Sequence, residues 1–216
     1  MKRVLYTILV AGILAALPMA GQPADVVTVG TVLGAAGGTV DVPVYIRDTS
    51  ATPLGIDQPS GSRIQSYGLT VNYAPTAPVQ AITFTRGGIT VPLTPAFESS
   101  PATPGTISLI DSFNEGTNLI PFTSNKALPG DQVGVLHVTI APGATVGTTI
   151  TLTLDPTLTQ LSNQAGSVTE TVANANLLLV PGSISVASQV PAFQPWMLAL
   201  LAISLGVIAV LFARRT

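Results

Sequence analysis

Period-two alternation of apolar residues, in stretches of eight or nine, restricts the folding of this chain more than any other feature. "TVDVPVYI" sets Val40, Val42, Val44 and Ile46 against Thr39, Asp41 and Pro43, and "QSYGLTVNY" does the same with Tyr67, Leu69, Val71 and Tyr73. "VGVLHVTIA" aligns Leu136, Val138 and Ile140, and "TTITLTLD" aligns Ile150, Leu152 and Leu154. Successive side chains of a strand point to opposite faces, so each stretch predicts a strand buried on one side. Glycine and proline turns separate the stretches, at residues 34–38, 74–78, 86–88, 128–131, 141–147 and 180–182. With no long amphipathic helix between them, the pattern predicts an all-β antiparallel sandwich of about nine strands. Two polar, turn-rich stretches, 47–63 and 92–105, read as surface loops.

The two ends follow different rules. Lys2 and Arg3 precede an apolar run from Val4 to Leu17, and Pro18, Met19 and Ala20 close it. That is the pattern of a secretory signal peptide over residues 1–24, with Ala20 or Ala24 before the cut and an uncleaved anchor as the other reading. From Trp196 to Ala213 the chain is apolar or small, which at about 1.5 Å per residue reaches roughly 27 Å, close to a bilayer's hydrocarbon thickness. Arg214 and Arg215 follow at once, so the expected span leaves the C-terminus cytoplasmic and residues 25–189 exported.

All ten acidic residues lie between 25 and 189 against Arg47, Arg63, Arg86 and Lys126, a formal charge of −6 for that body. Such a surface repels phosphates, which argues against nucleic acid and anionic lipid as partners. The chain has no cysteine, so disulfides, thiolate metal sites and cysteine nucleophiles are excluded and the exported body must hold together by its core.

Candidate chemistry is sparse. His137 is the one histidine, and its place in the alternation opposite Leu136 and Val138 turns it to solvent. "DSFNEGTN" gathers Asp111, Asn114 and Glu115, oxygen donors of the kind calcium takes, but Phe122 stands where a calcium loop needs its bidentate glutamate. A turn in which Asp and Asn bond their own backbone is the simpler reading. The acidic residues form no pair that spacing identifies as glycosidase carboxylates, and the chain reads as a non-enzyme without a cofactor. Tyr67 and Tyr73 read as core; Phe97 and Phe113, in expected loops, are the aromatic residues offered to a ligand.

Four blocks together resemble the cohesin-like β-sandwiches of bacterial surface proteins, relatives of carbohydrate-binding modules. These are "GGTVDVPVYIRD" (Gly37–Asp48), "IQSYGLTVNYAPTAPVQAITFTRGG" (Ile64–Gly88), "LPGDQVGVLHVTIAPGATVGTTITLTL" (Leu128–Leu154) and "LSNQAGSVTETVANANLLLVPGSISV" (Leu161–Val186). Ala74 stands where that family usually has aspartate. The resemblance implies a jelly-roll sandwich over 25–189 that binds, through one flat sheet face, a small helical dockerin domain or a carbohydrate. "VPAFQPW" is similar to the head of C-terminal sorting signals of the Ile-Pro-Thr-Leu type, with Pro191 and Trp196 in place but Ala192 and Phe193 departing from the motif. That likeness implies an exosortase-like enzyme acting on the 190–216 segment. The alternative to a binding module is a structural constituent of the envelope or extracellular matrix with no discrete ligand.

Overall fold

The computed structural model describes residues 22–188. The expected sorting segment 190–216, with Pro191, Trp196, Arg214 and Arg215, and all but the last three residues of the expected signal peptide lie outside the described residues. Among the described residues no helix is long and apolar enough to cross a membrane.

The described residues form fourteen strands: β1 (Asp25–Val29), β2 (Thr31–Ala35), β3 (Thr39–Arg47), β4 (Ser66–Ala74), β5 (Val79–Arg86), β6 (Phe97–Ser99), β7 (Ala102–Thr103), β8 (Thr106–Ser112), β9 (Asp131–Ile140), β10 (Thr149–Leu154), β11 (Gln160–Ser162), β12 (Thr169–Glu170), β13 (Leu177–Val180) and β14 (Gly182–Ala187). Nine of them have five residues or more, among them β3, β4, β9 and β10, the four read from alternation; the other five have two to four. One sheet has the order β13-β1-β3-β9-β5 and the other β12-β11-β4-β10-β14-β2. In the second sheet β4 pairs with β11 through residues 66–68 and with β10 through 71–74, while β8 runs along its other edge. The 92–105 stretch is not all loop: β6 and β7 pair with the free edge of β8. Strands this short, interrupted by Pro101 and Pro104, have too few residues to show a period.

The alternation read from sequence is the burial observed. Val42, Val44 and Ile46 of β3 and Leu136, Val138 and Ile140 of β9 meet Leu69 and Val71 of β4, Ile107 and Leu109 of β8 and Ile150 and Leu152 of β10, all essentially without exposure. Each such side chain contributes about 1.5–3 kcal/mol of transfer free energy, so the interleaved layer rather than any covalent link holds the sheets together. Where the chain passes from β1 to β2 and from β13 to β14 it changes sheet, and the two bends touch. A Cβ on Gly182 would lie 2.1 Å from the Gly30 carbonyl oxygen, so only glycine fits that crossing.

The strand directions sort the connections. The long ones, 48–65, 113–130 and 163–176, gather at one end and are tied to each other, with the Phe113 amide donating to the Gln65 carbonyl at 2.8 Å, the Gln65 amide to Ser162 at 3.0 Å and the Asn125 amide to Asp48 at 2.8 Å. The turns at 36–38, 75–78, 104–105 and 141–148 close the opposite end, where β14 finishes with Ala187 beside Ala35 of β2.

Candidate docking face

The parity that buries Tyr67, Leu69 and Val71 turns Ser66, Gly68, Thr70 and Asn72 of β4 outward. On β8 the same rule turns Ser108, Ile110 and Ser112 outward, and register sets Gly68 between Ile110 of β8 and Gln160 of β11. Because Gly68 has no side chain, the sheet backbone there becomes the floor of a shallow groove of about 340 Å³. Its walls are Ser66, Thr70, Ser108, Ile110, Leu158, Gln160 and Ser162, none of them charged. The Thr70 and Ser108 hydroxyls bond each other at 2.9 Å across the strands. Ile110 is 39% exposed, Leu158 59% and Phe97 55%. Phe97 pairs with Ser112 and so lies on this same outward face, one strand beyond Ile110. Hydroxyls between exposed apolar side chains, on a rigid and uncharged surface, are what a protein partner can cover at little desolvation cost. Glu98, opposite inward-facing Asp111, points away from this face, and its Oε2 pairs with Arg86 Nε of β5 in the other sheet at 3.0 Å.

Directly beneath the groove, the Tyr67 hydroxyl donates to Asp111 Oδ2 at 2.8 Å, and its ring meets Phe113 at a centroid separation of 6.3 Å. Burial pushes the Asp111 carboxyl up to about 6, against the opposing effect of that hydrogen bond. Burial, with the neighbouring Asp111 charge, also raises the Tyr67 phenol well above its ordinary value.

The two aromatic residues singled out from sequence part company here. Phe97 is exposed on the face, whereas Phe113 has no exposure and packs in the core, so it presents no ring to a ligand. The parity of β8 explains the correction: Ile107, Leu109 and Asp111 point inward, and Phe113 is the next residue of that series. Gly68, Ile110 and Leu158 were not legible as site residues. The signal at Ile110 was an apolar residue out of phase with Leu109. Tyr67 is core, as its parity requires.

The Asp111–Asn118 stretch does not converge on a cation. Asp111 is engaged by Tyr67, Asn114 Oδ1 accepts the Gly116 amide at 2.9 Å, and Glu115 accepts the Gly61 amide at 3.0 Å with Arg63 at 3.7 Å. Among the described residues no group of three or more His, Cys, Asp or Glu side chains is arranged to hold a metal ion.

His137 lies on the outer face of the other sheet, as its phase predicts. Its Nδ1 is 2.6 Å from Asp41 Oδ1 on β3 and its Nε2 is 2.9 Å from Thr85 Oγ1 on β5, so three strands are linked side to side. An acid, an imidazole and a hydroxyl in series can relay a proton. Here they lie on an open face with the strands around them engaged in the β3–β9–β5 ladder, which leaves no converging amides for an oxyanion.

No protein-family model and no curated protein matches the chain. Solved structures do. The third cohesin of ScaC from Acetivibrio cellulolyticus, solved in complex with the ScaB dockerin, is similar at a TM-score of 0.54 and 17% identity over 76% of this chain and 99% of that one. The OlpC cohesin of Clostridium thermocellum, from a type I cohesin–dockerin complex, gives 0.52 and 17% over 80% and 99%. CaCohA2 from Clostridium acetobutylicum gives 0.51 and 20% over 79% and 95%. The described domain therefore has the cohesin-like fold.

Proposed function

We propose that this chain is an exported, surface-tethered binding module whose outer face on β11, β4, β8 and β6 receives a protein partner of dockerin type. The observation that carries the reading is the groove over Gly68, uncharged and flanked by exposed Ile110, Leu158 and Phe97, on a fold shared with cohesins that were solved holding dockerins. A helix offering apolar side chains fits such a surface, since the three exposed apolar residues supply anchors and no charge has to be desolvated. A polysaccharide has less to hold it, because Phe97 is the one aromatic ring among the strongly exposed large apolar side chains of the described residues.

Gly68 makes the reading testable without damaging the fold. A Cβ there meets only the Leu158 carbonyl oxygen at 3.5 Å and Gln160 Cγ at 4.0 Å, which is ordinary contact, so a side chain at this position fills the groove rather than the core. A fragment spanning 22–188 contains the whole buried core. Immobilised, it is expected to capture a dockerin-bearing protein from the native secretome, and the Gly68→Arg variant is expected to lose it. Capture that is equal with both variants, or retention on a polysaccharide panel with no protein bound, rejects the assignment; silence in both assays leaves the structural-constituent reading.

The tethering part rests on the 1–24 and 190–216 segments and their resemblance to export and sorting signals. Processing by an exosortase-like enzyme predicts a mature protein lacking Met197 to Thr216, and accumulation of unprocessed chain in Pro191→Ala and Trp196→Ala variants. Mass spectrometry that finds an intact C-terminus in the wild type identifies a plain anchor instead.

A further inference from the structure

Three carboxylates with no exposure, Asp25, Asp48 and Glu170, are packed at the end that carries the long connections. Each spends one oxygen on the 48–57 loop. Asp25 Oδ1 accepts the Thr49 amide at 2.7 Å, Glu170 Oε1 accepts the Leu54 amide at 2.8 Å, and Asp48 Oδ2 accepts the Ile56 amide at 2.8 Å. The second oxygens, Asp25 Oδ2, Glu170 Oε2 and Asp48 Oδ1, are buried and have no hydrogen-bond donor among the described residues. A buried acceptor left this way costs about 1–3 kcal/mol, more if charged, so three together call for something to satisfy them.

The Asp25 and Glu170 carboxyl groups lie within hydrogen-bonding reach of each other. Two carboxylates can bond only if one of them carries a proton, because an ionised carboxylate has acceptors alone. The surrounding charges do not offer an alternative. Asp48, Asp57 and Asp131 add to the negative field from the end of β3, from the loop and from β9. The two nearby cations are committed elsewhere: Lys126 to Asp131, and Arg47 to the Thr49 hydroxyl at 3.0 Å and the Lys126 carbonyl at 2.8 Å.

We propose that Asp25 and Glu170 share a single buried proton, and that this carboxyl–carboxylate pair is a pH-dependent latch fastening the 48–57 loop to β1 of one sheet and β12 of the other. Burial, reinforced by the Glu170 hydrogen bond and charge, raises the Asp25 carboxyl to about 9, and burial raises Glu170 as well. A carboxyl whose folded value is raised above its unfolded one is favoured by folding while protonated. The latch therefore contributes fully in acid, below the unfolded value near 4, and its contribution is lost as pH rises toward 9. The domain is built to be firmest in a mildly acidic medium, and alkali frees the loop first.

The test is urea unfolding of the full-length chain in a nonionic detergent, at pH 6.5 and 8.5, as wild type, Asp25→Asn and Glu170→Gln. One proton held by the native state and not by the unfolded chain makes the wild-type unfolding constant rise about tenfold per pH unit across this window. An asparagine at position 25 reproduces the protonated acid, donating to Glu170 while still accepting from Thr49. Asp25→Asn is therefore expected to remove that slope and to unfold later than wild type at pH 8.5, with Glu170→Gln also flattening the profile. A slope unchanged in both variants overturns the proposal, as does an Asp25→Asn chain that is less stable than wild type at both pH values or does not fold. Calcium chloride forms a further arm: stabilisation of the wild type that Asp25→Asn abolishes places a cation where the proton is assigned, and equally overturns it.

Discussion

The two sheets of the sandwich turn very different faces to solvent. On the five-stranded sheet, the outward side chains of β3, β9 and β5 satisfy one another, with Asp41, His137 and Thr85 joined across three strands and Thr39 bonded to Thr139 at 3.1 Å. On the other sheet the outward positions around Gly68 are hydroxyls and apolar groups without charge, and Ile110, Leu158 and Phe97 are exposed among the described residues. Both faces bond some of their own polar groups, but only the Gly68 face sets exposed apolar side chains around an uncharged groove. An outer surface that is already internally bonded offers a partner little, because any hydrogen bond made to the partner would have to displace one already made within the sheet.

The contrast breaks most visibly at Gly68. Gly68→Arg is expected to weaken partner binding by 100-fold or more, about 2.7 kcal/mol, while moving Tm by no more than a few degrees; calorimetric titration beside a thermal melt separates the two effects. A comparable arginine at Thr83, on the opposite face, is expected to leave binding untouched.

The next largest effect lies under the groove. Asp111, held protonated to about pH 6, contributes stability that is complete below about pH 4 and falls away as pH rises to 6. Asp111→Asn is expected to level that part of the denaturation profile, and a profile that keeps its fall between pH 4 and 6 assigns it to another acid. Tyr67→Phe takes away the one donor to Asp111 Oδ2 and is expected to cost about 1–3 kcal/mol in urea unfolding at pH 7, with the groove side chains themselves unaltered. Smallest of all should be Asp41→Asn and His137→Ala. Both side chains are more than a third exposed, and an exposed pair is worth about 0.2–1 kcal/mol, so these variants are expected to bind and melt nearly as wild type. A large loss of binding in either would transfer the docking face to the other sheet.

What the sequence disclosed and what it withheld divide along physical lines. Period two was legible where a strand is long and buried on one side only, which is why β3, β4, β9 and β10 are as read, whereas β1, buried on nearly every residue, shows no alternation. The five strands of two to four residues left no period, and the 92–105 stretch hid β6 and β7 behind its prolines. Phe113 was misread because its loop neighbours Asn114, Glu115 and Gly116 outweighed the parity it inherits from β8. The groove was not legible at all. It depends on register, which sets Gly68 beside Ile110 and Gln160 from distant parts of the chain, and no local pattern encodes which residues three strands will bring abreast. The acidic latch is hidden for the same reason: Asp25, Asp48 and Glu170 meet only because β1, β3 and β12 end at the same pole.

The closing strand gives the sandwich a mechanical character. β14 is hydrogen-bonded on one side to antiparallel β10 and on the other to parallel β2. Backbone bonds between strands lie across the strand axis, so a pull along β14 loads both ladders in shear, all rungs together, instead of peeling them one at a time. The strand that closes the sandwich is thus held most firmly against a force along its own length.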